Sequence, residues 1–152
     1  MPDVKRRIRK ARNNKIKRII SIAGADESVF GNKLLEDRNY HDMFVKMLKE
    51  TEYPAGPIKT NIDSIVNYWL ANLEKYDQVM HAESIVDRDI LLLGGLDDKD
   101  VVLEEHILPL YRKLKELNSK NVVMKVFNSD HYFKNVRDEL TNTIYTWIVN
   151  KD

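Results

Sequence analysis

Three short runs of consecutive apolar residues divide the chain, and each predicts a buried β-strand. The first run, residues 16–23, is rich in β-branched side chains and is closed by Gly24. The second, residues 89–95, ends in two glycines, and the third, residues 121–127, has the same continuous apolar character. Apolar residues that follow one another without alternation are typical of strands covered on both faces. The pattern therefore predicts a parallel sheet of about three strands.

Helical periodicity follows the second and third of these runs. Apolar residues at steps of three and four predict an amphipathic helix between them: Leu103, Ile107, Leu110, Tyr111, Leu114 and Leu117. Strand, helix and strand in this order form a βαβ unit, which indicates an α/β fold. Pro109 lies inside the pattern, so we expect this helix to begin near it or to bend there. A last helix is predicted from about Asn135, with Asn135 as its N-cap and Asp138 at position N3.

The stretch 29–86 is predicted to be a helical insertion between the first two strands. It carries two apolar stripes, at 40–48 and at 62–73, which the segment 53–57 with its two prolines separates. Such an insertion can be a lid over a site or a helical crossover. Stripes of this spacing most often pack into a core.

Length and composition place the chain among globular proteins. It has 152 residues, of which 43% are hydrophobic, and that is enough for one domain with a core. No run approaches the ~20 apolar residues that a spanning helix needs, and no apolar segment follows the basic N-terminus as in a signal peptide. The chain contains no cysteine, which excludes disulfides and thiolate chemistry. We therefore expect a soluble, cytoplasmic protein without membrane contact.

The net charge of +1 conceals a basic arm at residues 1–15, ahead of the domain at 16–152. The first 18 residues include nine basic side chains and one acidic residue: Lys5, Arg6, Arg7, Arg9, Lys10, Arg12, Lys15, Lys17 and Arg18. Clustered basic residues can bind the phosphates of nucleic acid or anionic lipid. The arm lacks the interleaved aromatics on which bases stack, so we interpret it as a solvated terminus and keep nucleic-acid binding as an alternative.

Ionisable residues follow the second and third predicted strands directly. Asp98 comes three residues after the second strand, and His131 comes four residues after the third. Parallel strands bring their carboxyl ends to one edge of the sheet, so these side chains can meet although 33 positions separate them. A carboxylate that holds one imidazole nitrogen allows the other nitrogen to act as a general base. If no such pair forms, the acids at 97, 98 and 100 merely solvate a loop.

The region from Ile90 to Trp147 resembles the C-terminal part of α/β-hydrolases, particularly their prolyl-oligopeptidase, dienelactone-hydrolase and acyl-thioesterase-like branches. The likeness extends over most residues from about Ala11 to the end of the chain. The segments that carry it are Leu91–Gly95 with Asp98 and Val101 after it, Pro109–Tyr111 with Leu114, Asp130–Phe133, the helix with Trp147 and Ile148, and Ile19–Asp26.

The resemblance implies a truncated α/β-hydrolase fold and a serine hydrolase acting on ester, thioester or peptide bonds. By this resemblance, Asp98 is the acid of a catalytic triad and His131 is its base. Asp97 is the alternative for the acid. We expect no cofactor and no metal, because the other histidines match no metal-ligand spacing and the sequence has neither a P-loop nor a dinucleotide fingerprint.

The chain departs from the family pattern at the nucleophile, which α/β-hydrolases carry on a G-x-S-x-G turn before the acid and the base. None of the five glycines forms this motif. The first strands, the oxyanion-hole loop and the nucleophile turn of the family would all precede residue 1. Ser28 and Ser129 are weak substitutes, because Ser129 is too close to His131 along the backbone and no oxyanion arrangement is predicted around Ser28.

We therefore expect a chain that carries the triad acid and base and is inactive alone. Its expected partner is another copy of the chain or a missing N-terminal half, because the first strand would otherwise expose an unpaired edge. The complete enzyme would act on a small acyl or peptide substrate. The alternative from another class is a non-catalytic interaction protein built on a truncated α/β sheet.

Overall fold

The computed structural model describes residues 15–52 and 61–150. The basic arm, apart from Lys15, and the segment 53–57 predicted to separate the two helical stripes lie outside these residues. The chain divides into two compact units, one formed by Met1–Ala25 with Val79–Asp152 and the other by Asp26–Gln78. None of the helices in the described ranges combines the length and the apolar character needed to cross a bilayer.

The first unit contains a parallel sheet of three strands, in the order β1 (Arg18–Ile22), β2 (Asp89–Gly95) and β3 (Val122–Phe127). Every residue of β2 after Asp89 is buried. Continuous burial needs cover on both faces of the strand. The α/β fold with a parallel sheet of about three strands, predicted from the apolar runs, is confirmed.

The face of β2 that carries Ile90 and Leu92 packs against α4 (Leu103–Glu116). The apolar side of this helix is buried as its periodicity predicts: Leu103, Ile107, Leu110 and Leu114. Pro109 lies in the interior of α4, which begins six residues before it. Gly94 allows the close packing, since a Cβ there would lie 2.8 Å from Leu103 Cδ1 and 2.9 Å from Ile107 Cδ1.

The opposite face of β2, with Leu91 and Leu93, packs against α5 (Arg137–Val149) through Leu140 and Trp147. This helix begins one residue later than the predicted cap implies, after a 3₁₀ turn at Lys134–Val136. Val136 occupies the N-cap position, and no side chain caps the helix. The prediction that Asn135 is the N-cap was therefore wrong, and its amide makes other bonds, described below.

The second unit is helical, with α1 (Glu27–Glu36), α2 (Arg38–Met47), a π turn at Leu48–Glu52, and α3 (Ile62–Leu70). Asp26 caps α1 by accepting a 3.0 Å bond from the Ser28 backbone N–H, and its other oxygen accepts from Gln78 N at 3.0 Å. Ile62 and Val66 of the second predicted stripe are buried, whereas α2 has no buried residue. Periodicity thus identified α2 as a helix without showing how far its apolar side is covered.

Candidate active site

Asp98 lies in the turn that follows β2, and the backbone of the same turn holds its carboxylate. Its side chain is fully buried. Its Oδ1 atom accepts bonds from the backbone N–H of Asp100 at 2.9 Å and of Val101 at 2.8 Å. Val101 is itself 4% exposed and belongs to the core. The carboxylate of Asp98 is therefore held by the backbone of residues two and three positions later. The second of these, Val101, is fixed by its packing in the hydrophobic core.

His131 lies in the loop that follows β3, and its position depends on a less local arrangement. Asp130 begins a turn in which its Oδ1 accepts from Tyr132 N at 3.0 Å. Phe133 then adopts a left-handed backbone conformation, with φ of 53°, and is 2% exposed. Its ring meets that of Phe127 edge to face, with 5.7 Å between the centroids. Because Phe133 packs against Phe127 at the end of β3, the chain lies against the sheet again two residues after His131.

The two loops bring Asp98 and His131 into direct contact. His131 Nδ1 lies 3.0 Å from Asp98 Oδ2. Because an ionised carboxylate only accepts hydrogen bonds, Nδ1 carries the proton and Nε2 has the lone pair in the neutral ring. The imidazole side chain is 34% exposed, whereas the carboxylate is fully buried. In this arrangement a buried carboxylate can set the tautomer of the imidazole and leave Nε2 free to accept a proton.

Backbone contacts hold the two loops against each other. Leu96 N donates to Phe127 O at 2.8 Å, and Asp97 N donates to Ser129 O at 3.0 Å. Gly95 makes this approach possible, because a Cβ at that position would lie 2.5 Å from Ser129 O and 2.9 Å from Asp130 O. A glycine at the end of a strand is one signal of such a close backbone approach.

The structure separates the other candidates from this pair. Asp97 is exposed and uses its backbone N–H to join the loops, while His131 bonds to Asp98. Ser129 is 2% exposed and its hydroxyl lies 2.6 Å from Asn135 Oδ1. Ser28 is buried at the start of α1, with its hydroxyl 2.6 Å from Asp26 Oδ1. Both hydroxyl groups therefore donate their protons to nearby side chains, Ser28 to the residue that caps its helix and Ser129 to Asn135.

A metal ion could reach three side chains at this site. Ligand atoms of Asp98, Asp100 and His131 lie within 4.8 Å of one another. Oxygen and imidazole donors of this kind suit several divalent ions. The Asp98 carboxylate, however, already accepts two backbone N–H bonds and faces His131 Nδ1. An ion would have to compete with these three donors.

Two contributors to the site were missed by sequence reasoning. Asn135 was assigned to a helix cap, but it binds the residues that precede His131. Phe133 stands in a left-handed conformation that aromatic residues adopt infrequently. A polar residue near a helix start has the same local signature whether it caps the helix or bonds across a loop, so the sequence carries no signal that separates the two.

Comparison with known proteins identifies a family that this chain matches. A model described as the prolyl oligopeptidase family matches residues 33–151, which is more than three quarters of the chain. The matched range includes both strands that precede the acid and the base, and both side chains of the pair. No curated protein sequence matches the chain significantly.

Proposed function

The chain belongs to the prolyl oligopeptidase family, and from this premise we propose that it supplies the general base and its orienting acid to a serine hydrolase. The observation that carries the proposal is the 3.0 Å contact between His131 Nδ1 and the buried carboxylate of Asp98. The bonds cleaved would be peptide, ester or thioester bonds. Family membership supports a hydrolase in general, and the finer assignment rests on this pair.

In the proposed reaction, His131 moves protons through Nε2. As a serine oxygen attacks the carbonyl carbon of the substrate, Nε2 takes the hydroxyl proton, and the imidazolium then donates it to the leaving amine, alcohol or thiol. Water attacks the carbonyl carbon of the resulting acyl-enzyme while Nε2 takes one of its protons, and the imidazolium returns a proton to the serine oxygen as the acyl–serine bond breaks. The carboxylic acid product leaves, and the free serine and the neutral imidazole are restored.

Asp98 keeps the imidazole productive throughout this cycle. Its Oδ2 holds the proton on Nδ1, which leaves Nε2 as the acceptor, and its negative charge stabilises the imidazolium that forms. The two backbone N–H bonds to Oδ1 prevent the carboxylate from turning away. They also satisfy a charge that is removed from water, which is costly without such partners.

The nucleophile has to come from another polypeptide segment, because the 152 residues contain no G-x-S-x-G motif. The sheet offers a place for such a segment. In the part of the chain that the structure describes, β1 pairs with β2 on one side and with no strand on the other. Ile16 and Ile22, at the two ends of this strand region, are 47% and 46% exposed. An open strand edge beside exposed apolar side chains favours association.

We propose that β1 pairs either with another copy of the chain or with a segment that has the N-terminal half of the hydrolase fold. Either would add a strand beside β1, and the second would also add the serine. Light scattering at tens of micromolar protein tests the first possibility. A monomer under those conditions would contradict self-association and favour the N-terminal half.

The test of the proposed function measures acyl transfer with and without a serine donor. The chain alone should not react with a fluorophosphonate probe and should hydrolyse activated esters no faster than its H131A variant. Addition of a polypeptide that has the N-terminal half of the hydrolase fold with its G-x-S-x-G turn should produce turnover that H131A abolishes. Stoichiometric labelling of Ser28 or Ser129 in the chain alone would contradict the proposal. A stable, inactive complex would favour the non-catalytic alternative.

A further inference from the structure

The loop that carries His131 is closed at its base by one side-chain amide. Asn135 Oδ1 lies 2.6 Å from the hydroxyl oxygen of Ser129, and Asn135 Nδ2 lies 3.0 Å from the backbone oxygen of Asn128. These bonds join the residues just before His131 to the 3₁₀ turn at Lys134–Val136 just after it. His131 is therefore at the tip of a loop whose two ends are tied together.

The orientation of this amide follows from the chemistry of its partners. The carbonyl oxygen of Asn128 only accepts hydrogen bonds, so the amide atom facing it has to be the NH₂ nitrogen. The amide oxygen then faces Ser129, whose hydroxyl has to donate. Ser129 is 2% exposed, so loss of the amide would deprive a buried hydroxyl of this acceptor.

The same amide is linked to the loop of the acid through one further bond. Ser129, whose side chain donates to Asn135, accepts the backbone N–H of Asp97 at its carbonyl oxygen, at 3.0 Å. Asp97 directly precedes Asp98. The path from Asn135 through Ser129 to Asp97 thus connects the base of the His131 loop to the turn that holds the acid.

We infer that Asn135 is a positioning residue for His131. This inference rests on the proposed function, in which His131 is the general base. In it, Asn135 is the group that holds the His131 loop so that the imidazole stays within bonding distance of Asp98. The hydrogen bonds of the Asn135 side chain go to Ser129 and Asn128, not to the imidazole or the carboxylate. Asn135 acts through Ser129 and Asn128, and it therefore sets the geometry of the pair and takes no part in proton transfer.

The test follows the Nδ1 proton of His131 in the ¹⁵N-labelled 152-residue chain by NMR spectroscopy. A proton shared with a carboxylate resonates far downfield and exchanges slowly with water, and H131A identifies its signal. N135A should accelerate this exchange about tenfold, the effect of losing one or two hydrogen bonds. Amide exchange in β2 should change much less. N142A, at an exposed asparagine of α5, is the matched control and should leave both exchange rates unchanged.

Two results would overturn the inference alone. In the first, the Nδ1 proton of His131 exchanges with water no faster in N135A than in N142A. In the second, N135A accelerates amide exchange in β2 by the same factor, which would make Asn135 a residue for general stability. A chain whose signal is missing, or is unchanged in D98N, would contradict the acid–base pair itself and the positioning role with it.

If N135A does not fold, a second variant, S129A, tests the same inference. S129A removes one of the two bonds and leaves the bond between Asn135 and Asn128. It should accelerate Nδ1 exchange severalfold, and an unchanged rate would overturn the inference. Loss of the native circular dichroism spectrum in both variants would also overturn it, because the amide would then be required for the fold.

Discussion

The loops that follow β2 and β3 carry the two halves of one candidate site, and they hold their side chains in different ways. Asp98 is held by the backbone N–H groups of Asp100 and Val101, two and three residues away. The loop of His131 is held by the amide of Asn135 and by the burial of Phe133. The acid therefore has a local support, whereas the base depends on packing and on bonds across its loop.

The difference matters because local bonds form wherever the turn forms. A carboxylate that accepts backbone N–H groups in its own turn needs little else from the fold. A loop closed by a side-chain amide and a buried aromatic ring requires the sheet and α5 to be in place. We therefore expect changes outside the pair to disturb His131 more than Asp98.

The largest expected effect comes from D98N, measured as kcat in the complex with a serine donor. An asparagine can present an NH₂ group to Nδ1, which favours the wrong tautomer of His131, so kcat should fall about 10⁴-fold. D97N is the control, because Asp97 joins the loops through its backbone. Equal losses in the two variants would show that the acid was wrongly identified.

F133A tests the packing support of the His131 loop. Removal of a buried aromatic side chain leaves a cavity beside Phe127 and should lower the free energy of unfolding by about 3–5 kcal/mol. Y132A is its neighbour control, since Tyr132 is 56% exposed. Urea unfolding measures both. If F133A costs no more than Y132A, packing is not what holds this loop.

G95A tests the contact between the two loops. The added Cβ would meet the backbone oxygens of Ser129 and Asp130, so the loops have to separate, at a cost of about 1–3 kcal/mol. G94A is the matched control, because its Cβ would meet the ends of the Leu103 and Ile107 side chains, which can move. A larger loss of stability in G94A than in G95A would contradict the importance of the backbone contact.

The smallest effect is expected at Glu27, an acid outside both loops. Partial burial raises the pKa of its carboxyl above the ordinary value of 4.5, and the nearby charge of Asp26 raises it further. The folded chain then binds more protons than the unfolded chain just above pH 4.5, so this group lowers stability as the pH rises through that window.

E27Q should remove this dependence and change stability at neutral pH by less than about 0.5 kcal/mol. Thermal unfolding between pH 4 and pH 7 measures it. The slope of stability against pH should become more positive in E27Q. An unchanged slope would show that Glu27 keeps its ordinary pKa, and it would leave the comparison between the two loops untouched.

Much of the sheet unit could be predicted from the sequence. The three apolar runs became β1, β2 and β3, but only the central strand β2 is buried along nearly its whole length, whereas β1 has no buried residue and β3 is buried at its two ends. The helix α4 followed its periodicity through Pro109, whose missing N–H costs one helical bond without ending the helix. The start of α5 was less predictable, because asparagine is a common N-cap residue, whereas here Asn135 forms hydrogen bonds across the His131 loop.

The sequence by itself determined that an acid and a histidine follow neighbouring parallel strands, because this depends on strand order and on residue type. It did not determine that the loop of His131 is closed by Asn135 or that Phe133 turns it through a left-handed conformation. Those features depend on partners six and seven residues away and on burial against Phe127. Only the assembled sheet and α5 decide them, since a local pattern carries no information about which surface covers it.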